Sequence, residues 1–191
     1  VSAVQDGLYR LLVLSARVLR PSMAAYYNLL PDGEELQLKE QYFSGDGHLH
    51  QKISAREGAV GHAMLAGRPL RLHKLASAAH LLTHRCDGVI PQALLCVPVR
   101  RSGQVEGVLV YERNQPFQPH EEMIADALAV EITHVMQAEE VVQAFLDEKE
   151  RKNQIFTLAR SFGGVLDAKE AISLALQAAQ DVANVEAGAF V

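Results

Sequence analysis

Residues 92–113, QALLCVPVRRSGQVEGVLVYER, leave a chain of this kind few options. Residues 93–99 and 105–111 are almost wholly apolar and rich in strand-favouring side chains. Between them, Arg100-Arg101-Ser102-Gly103-Gln104 is a short polar turn containing a glycine. Two such runs predict an antiparallel hairpin. Both runs are too apolar for a sheet with one wet face, so the hairpin must be central and covered on both sides. Pro98 has no N–H to give to a ladder, which predicts a bulge or an interruption of pairing there. Gly107 omits a side chain where another part of the chain must come close.

Composition narrows the class. A chain of 191 residues, 49% hydrophobic and 21% charged, suits one ordinary domain plus some extra length. The net charge is −5 and no basic stripe stands out, which argues against nucleic acid as a partner. No apolar run has the length of a bilayer span, and no signal peptide is visible. Two cysteines, Cys86 and Cys96, do not make a disulfide framework, so a reducing cytoplasm is the expected compartment. The start at Val1 is expected to lie inside a longer protein.

Apolar side chains at Leu8, Leu11, Leu12, Val18 and Leu19 predict a helix over residues 4–20, ended by Pro21 and Ser22. Residues 23–30 read as a strand. Pro31-Asp32-Gly33 is a turn in which proline presets φ and glycine supplies a positive φ. Residues 36–43 form the partner strand of a hairpin, with one wetter face. Ser54-Ala55-Arg56-Glu57 fits the capping box that opens a helix over 59–66, with Gly67 as its stop. Residues 69–72 make a short strand. Residues 74–91 hold no clear strand; 76–84 has the makings of one short helix, and 86–88 reads as loop.

Glu121 and Glu122 favour the first turn of a long helix, and no proline or glycine follows Ile124 until Gly163. Leu128, Val135, Val142, Lys149 and Phe156 fall seven apart, with Ala138 and Phe145 at companion positions. That is a coiled-coil seam interrupted at Lys149 and Lys152, and the charged residues 147–154 read as a connector. The tail echoes the head at an offset of 164 (176 − 12): Leu12 meets Leu176, Val18 meets Val182, Ala25 meets Ala189 and Tyr26 meets Phe190. The expected organisation is a sensor domain over 1–138, a helical linker over 139–162, and the start of a second, truncated copy over 163–191.

This order of elements resembles the GAF domain. The likeness is carried by Glu57-Gly58-Ala59-Val60-Gly61, Gly67-Arg68-Pro69-Leu70, Ala93-Leu94-Leu95-Cys96-Val97-Pro98-Val99, Gly107-Val108-Leu109-Val110, and Phe117 followed by Glu121 and Glu122. It covers residues 4–138, with a partial repeat from about 153. The resemblance implies an α+β fold: a six-stranded antiparallel sheet with helices on both faces, plus a long C-terminal connecting helix. It also implies a regulatory sensor in tandem with another, as in bacterial-type signalling proteins, upstream of an output domain in the same chain. A small ligand would lie on the sheet face under the 74–91 loop, against Leu72, His73, His80, His84, Cys86, Leu94, Cys96 and Val108. Its identity, and that of any cofactor, is unknown from sequence. A homodimer is expected through Leu8, Leu12, Val18, Val135, Val142 and Phe145.

Several chemistries compete at these residues. Cyclic-nucleotide-binding members of the family show Asn-Lys, then Phe, three residues and Asp-Glu. Here Asn114, Phe117, Glu121 and Glu122 match, but Gln115 stands for the lysine and Glu121 for the aspartate, so the usual ion pair is absent and helix initiation is the plainer account. If helical, His80 and His84 would share a face and could address a metal or haem iron, with Cys86 as a softer ligand. The plainer account is polar side chains in a loop. A bilin on Cys86 is disfavoured because Asp87, not histidine, follows. Cys96 reads as core, and two cysteines do not suit the family's free methionine sulfoxide reductases. His48 and His50 read as exposed, and Arg100 and Arg101 as a solvated turn. No nucleophile–base pair or paired carboxylates stand out, so a non-catalytic module is expected: a ligand-binding regulator that relays through the long helix. Alternatives are a ligand-free dimerisation module and a redox, metal or haem sensor built on His80, His84 and Cys86.

Overall fold

The computed structural model describes residues 3–163 together with 176 and 177. The chain divides into two compact units, residues 1–139 and 140–191. The sheet and both its coats belong to the first.

Helix α1 (Ala3–Leu19) leads into the hairpin β1 (Met23–Leu29) and β2 (Glu35–Phe43), followed by β3 (Lys52–Ser54), α2 (Gly58–Ala66) and β4 (Leu70–His73). A 3-10 helix over Leu75–Leu81 precedes the hairpin β5 (Ala93–Arg101) and β6 (Gln104–Arg113), and α3 runs over Pro119–Gly163. The sheet order is β3-β2-β1-β6-β5-β4, with antiparallel pairing between neighbours. The 92–113 hairpin is central, as its apolarity requires, and β5 is buried from Ala93 to Val99. The α+β fold expected from sequence is the one observed.

Strand alternation sorts the core into two layers. Ala24, Tyr26, Leu95, Val97, Leu109 and Tyr111 pack under α1 and α3, meeting Leu8, Leu12, Ala125, Ala129 and Ile132. Met23, Ala25, Tyr27, Leu94, Cys96, Val108 and Val110 face the other way, meeting Ala59, Val60 and Ala63 of α2 together with Leu75 and Leu82. Leu8 and Leu12 are thus spent inside the domain and offer nothing to a dimer face. The stripe is apolar as its spacing predicts, but its partner is this chain's own sheet. Val135 is half-buried on the same layer, close enough to Gly7 that a methyl there would lie 3.1 Å from its Cγ1. Val18, Val142 and Phe145 are exposed.

Local chemistry corrects four expectations. The capping box does not form: Ser54 pairs with Glu35 as the end of β3, and its Oγ accepts from the Arg56 N–H. The helix starts only after Glu57, whose side chain makes no capping bond. Gly67 does stop it, in the left-handed region with its N–H on the Ala63 carbonyl. The β5–β6 strands run on through Arg101 and Gln104, so the turn is Ser102-Gly103 alone, both at positive φ, the arrangement that suits the twist of a tight hairpin. Arg101 pairs with Glu106 at 2.9 Å rather than standing in solvent. Pro98 stays in register with Val108; the bulge falls one step later, between Val99 and Arg100, and β4 pairing has already ended at Cys96. Of the tail echo, Leu176 is described, in helical conformation; Val182, Ala189 and Phe190 lie outside the described residues.

Candidate functional site

The centre of the site is a carboxylate in an apolar place. On β6, Val108, Val110 and Glu112 share a face, so strand geometry drives Glu112 into the layer under α2. It is 0% exposed. No neighbour on the sheet supplies a counter-charge, and an unpaired carboxylate there would be prohibitive. The loop between the 3-10 helix and β5 supplies the partners. Glu112 Oε1 lies 2.7 Å from His84 Nε2. Its Oε2 accepts from Arg85 Nε at 2.9 Å and from Arg85 Nη2 at 2.5 Å, two charge-assisted bonds converging on a single oxygen.

Further bonds knit this contact into both loops. Arg85 Nη1 donates to Asp87 Oδ2 at 2.7 Å, and Asp87 in turn accepts the backbone N–H groups of His48 and Val89. The His50 N–H donates to the His84 carbonyl at 2.9 Å, Leu49 and Arg85 form an antiparallel bridge, and the Tyr27 hydroxyl donates to the His50 carbonyl. The Arg85 guanidinium lies 5.5 Å from the Phe43 ring centroid. Burial works against the Arg85 charge, but the bonds and charges of Glu112 and Asp87 outweigh it and raise its pKa. Burial likewise opposes the Asp87 charge, but two backbone donors and Arg85 hold its carboxyl below the usual range. Burial raises the Tyr27 hydroxyl, keeping it a neutral donor. Two buried atoms of this loop have no hydrogen-bond partner, His84 Nδ1 and Thr83 Oγ1. Thr83 also sits where a side chain on Gly58 would be, and Gly58 has φ +68°.

The residues expected from sequence divide. His84 is in the cluster. His80 is exposed on the 3-10 helix, which ends at Leu81 and departs from helical geometry at Ala78. The four-residue spacing therefore does not bring His80 and His84 onto one face. Cys86 and His73 are exposed and Leu72 is half-buried at the sheet edge. Leu94, Cys96 and Val108 are 0% exposed and packed beneath α2. Among the described residues, no group of three or more His, Cys, Asp or Glu side chains is placed to hold a metal ion. His48 and His50 are exposed and contribute through their backbones. Glu112, Arg85 and Asp87 were not read from sequence. Glu112 did leave a trace, as a charge in phase with Val108 and Val110 on a central strand.

At the start of α3 the structure replaces the ion pair that the Asn114–Glu122 pattern lacked. Arg113, one residue before Asn114, makes a forked pair with Glu121 at 2.8 and 2.6 Å. Its guanidinium stacks 4.1 Å from the Phe117 ring centroid. Arg113 holds the Glu121 carboxyl below its usual 4.5, against some opposition from burial. A depressed carboxyl pKa stabilises the fold above the unfolded value and ceases to do so as pH falls through the folded one. Glu121→Gln should therefore cost about 2 kcal/mol at pH 7 and converge on wild type as pH falls below 4.5. Urea denaturation across that range checks it; a constant difference at all pH values would count against the pairing.

Cys96 is buried and Cys86 exposed, and burial pushes the Cys96 thiol pKa up. Since the thiolate is the nucleophile, a maleimide under native conditions should modify Cys86 alone. Labelling of Cys96 at a comparable rate would contradict the packed layer under α2.

A six-stranded antiparallel sheet, with two helices on one face and a short helix and latched loop on the other, defines the class of module. The GAF domain family model matches residues 4–135, and this chain belongs to that family of regulatory ligand-binding sensor modules. No curated protein matches it. Among solved structures, the GAF domain of an Acinetobacter phosphoenolpyruvate-protein phosphotransferase is similar at 20% identity and TM-score 0.63, over 74% of this chain and 87% of that one. The free methionine-R-sulfoxide reductase of Neisseria meningitidis, in complex with its substrate, matches at 15% identity and TM-score 0.63, over 73% and 81%. The GAF-B domain of DevS from Mycobacterium smegmatis matches at 16% and 0.59, over 74% and 98%. At these identities the likeness establishes the fold.

Proposed function

We propose that this chain is a sensor module whose ligand face is closed by the loop that Glu112 holds. The observation that carries this reading is the latch itself. A wholly buried carboxylate is bound by His84 and Arg85, both from the segment lying over the sheet. A small ligand reaching Leu94, Cys96 and Val108 would displace that segment and take over some of its polar contacts. Two states of the loop follow, and a ligand shifts them only by its difference in affinity for each. No metal or haem role is assigned to His80, His84 and Cys86. Nor is a reductase role favoured, because one of the two cysteines is sealed in a strand and the other lies exposed. The close packing of Leu94, Cys96 and Val108 favours a second reading, a ligand-free relay.

The proposal extends to the chain's organisation: a sensor over 1–138, a linker over 139–162 and a second copy from 163, in a cytoplasmic homodimer with an output domain further along. Exposed Val142 and Phe145 on α3 support a helical dimer seam, since apolar side chains at such spacing rarely stay in water. Mass spectrometry of small molecules released from the purified protein tests the ligand. A specific molecule released by wild type, and retained in greater amount by Arg85→Met, whose weakened latch favours the open loop, supports it; none retained by either, with α3 insertions still changing output, supports the ligand-free relay. In the full-length protein, four residues inserted after Glu150 should alter output control and seven should largely preserve it. Equal effects of four and seven would reduce the helix to a tether.

A further inference from the structure

A second opening lies beyond the strand ends, where the last turn of α1, the beginning of β1 and the β6–α3 connection meet. It is a cleft of about 860 Å³, within the range of small-molecule sites, and it is separate from the latched face. Its charge is lopsided. Three arginines line it, Arg17, Arg20 and Arg113, with His120 and a single carboxylate, Glu121. Arg113 is wholly occupied: it donates to Glu121 and to the carbonyls of Leu19, Gln115 and Pro116. Glu121 is neutralised by the same contact. Arg17 and Arg20 are left, exposed and with no carboxylate partner among the described residues. Two uncompensated guanidinium groups thus share one cleft in a chain whose net charge is −5.

The backbone adds an independent observation. Arg20 follows the last residue of α1 with φ +49°, its N–H on the Ala16 carbonyl at 3.1 Å. That left-handed position at a helix end is usually taken by glycine, because any Cβ is strained there. A cation near a helix C-terminus is favourable in its own right, but Arg17 already meets that need. The residue at position 20 carries a side chain at a conformational cost and presents it to the cleft.

We propose that this cleft binds a small anion carrying at least two negative charges, of the phosphate or carboxylate type, gripped by Arg17 and Arg20 and walled by the Arg113–Glu121 pair. The guanidinium fork matches both oxyanion geometries, so the two sources are separated by experiment. The inference does not depend on a ligand under the 74–91 loop. Arginine Nε–Hε resonances of the full chain would be followed by NMR during titration with pyrophosphate and, separately, with citrate, at constant ionic strength. Saturable shifts of Arg17 and Arg20 are expected with one probe at least tenfold more tightly bound than the other, which names the source. Arg17→Gln/Arg20→Gln should weaken that binding at least tenfold, while Lys39→Gln, elsewhere on the surface, should leave it unchanged. Arg20→Gly separates binding from folding: relief of the left-handed strain should leave the fold as stable or more so, with affinity still reduced. Linear, non-saturating shifts, equal weakening by Lys39→Gln, or full affinity in Arg20→Gly would each overturn the proposal.

Discussion

Glu112→Ala is expected to cost about 3–5 kcal/mol of folding stability, the range for removing one partner of a buried ion pair. The carboxylate is 0% exposed and so is His84, while the Arg85 side chain is 7% exposed. Without Glu112, both His84 nitrogens stand buried and unpartnered, and Asp87 is the one carboxylate left to Arg85. The penalty is the desolvation of what remains more than the loss of the bond itself. It is a large share of the roughly 5–15 kcal/mol that holds an ordinary domain folded. Urea denaturation measures it. Glu112→Gln should lose less, because the amide oxygen still accepts from the loop. Hydrogen exchange in residues 82–90 of that variant should rise more than in β1. A loss under about 1 kcal/mol in Glu112→Ala would mean that the latch does not hold the loop.

Gly107→Ala is expected to cost about 3 kcal/mol, the upper part of the range for overpacking a core. Gly107 pairs with Asn28 on one side and Val99 on the other. A methyl there would run into the Tyr27 carbonyl oxygen and the Tyr26 ring. Neither yields cheaply. The carbonyl belongs to the neighbouring strand, and the ring is 1% exposed with its hydroxyl bonded to Asn28 at 2.8 Å. Alanine's easier backbone recovers only about 0.5–1 kcal/mol. A scanning calorimeter should record a fall in Tm of roughly 10 °C. Gly45→Ala, with nothing within 4 Å of the added carbon, should leave Tm almost unchanged. Equal small shifts in both would show that the sheet can move apart at position 107.

These two sites differ in how they could be read. Gly107 was visible as a missing side chain in an otherwise apolar strand, because close packing leaves a local mark in sequence. Glu112 left a subtler one, and its partners left none. His84 and Arg85 lie 28 and 27 residues away along the chain, in a segment without periodicity. A counter-charge supplied by a loop has no spacing rule. The four-residue interval between His80 and His84 would have mattered only in an α-helix, and a 3-10 helix that ends at Leu81 removes it. The Arg113–Glu121 pair shows the same limit: the pattern held a vacancy at Gln115, and the fold filled it from Arg113, two residues earlier.

What the amino-acid sequence determined by itself was whatever rests on neighbours: two hairpins, Gly33 in the turn of the first, Gly67 at the end of α2, the burial of 93–99 on both faces, and the helix that runs without a break from Ile124 to Phe162. These follow from side-chain period and from φ preferences, which act within a few residues. Tertiary structure decided which partner each apolar face meets. Leu8 and Leu12 carry the stripe of a helix that must bury itself, and the sheet of the same chain, rather than a second copy, covers them. It also decided that Ser54 ends a strand instead of capping a helix, because ladder bonds to β2 claim its backbone first. Burial removes a residue from water whichever surface does the covering, so hydrophobic pattern specifies that a face is covered, and only the packed chain specifies by what.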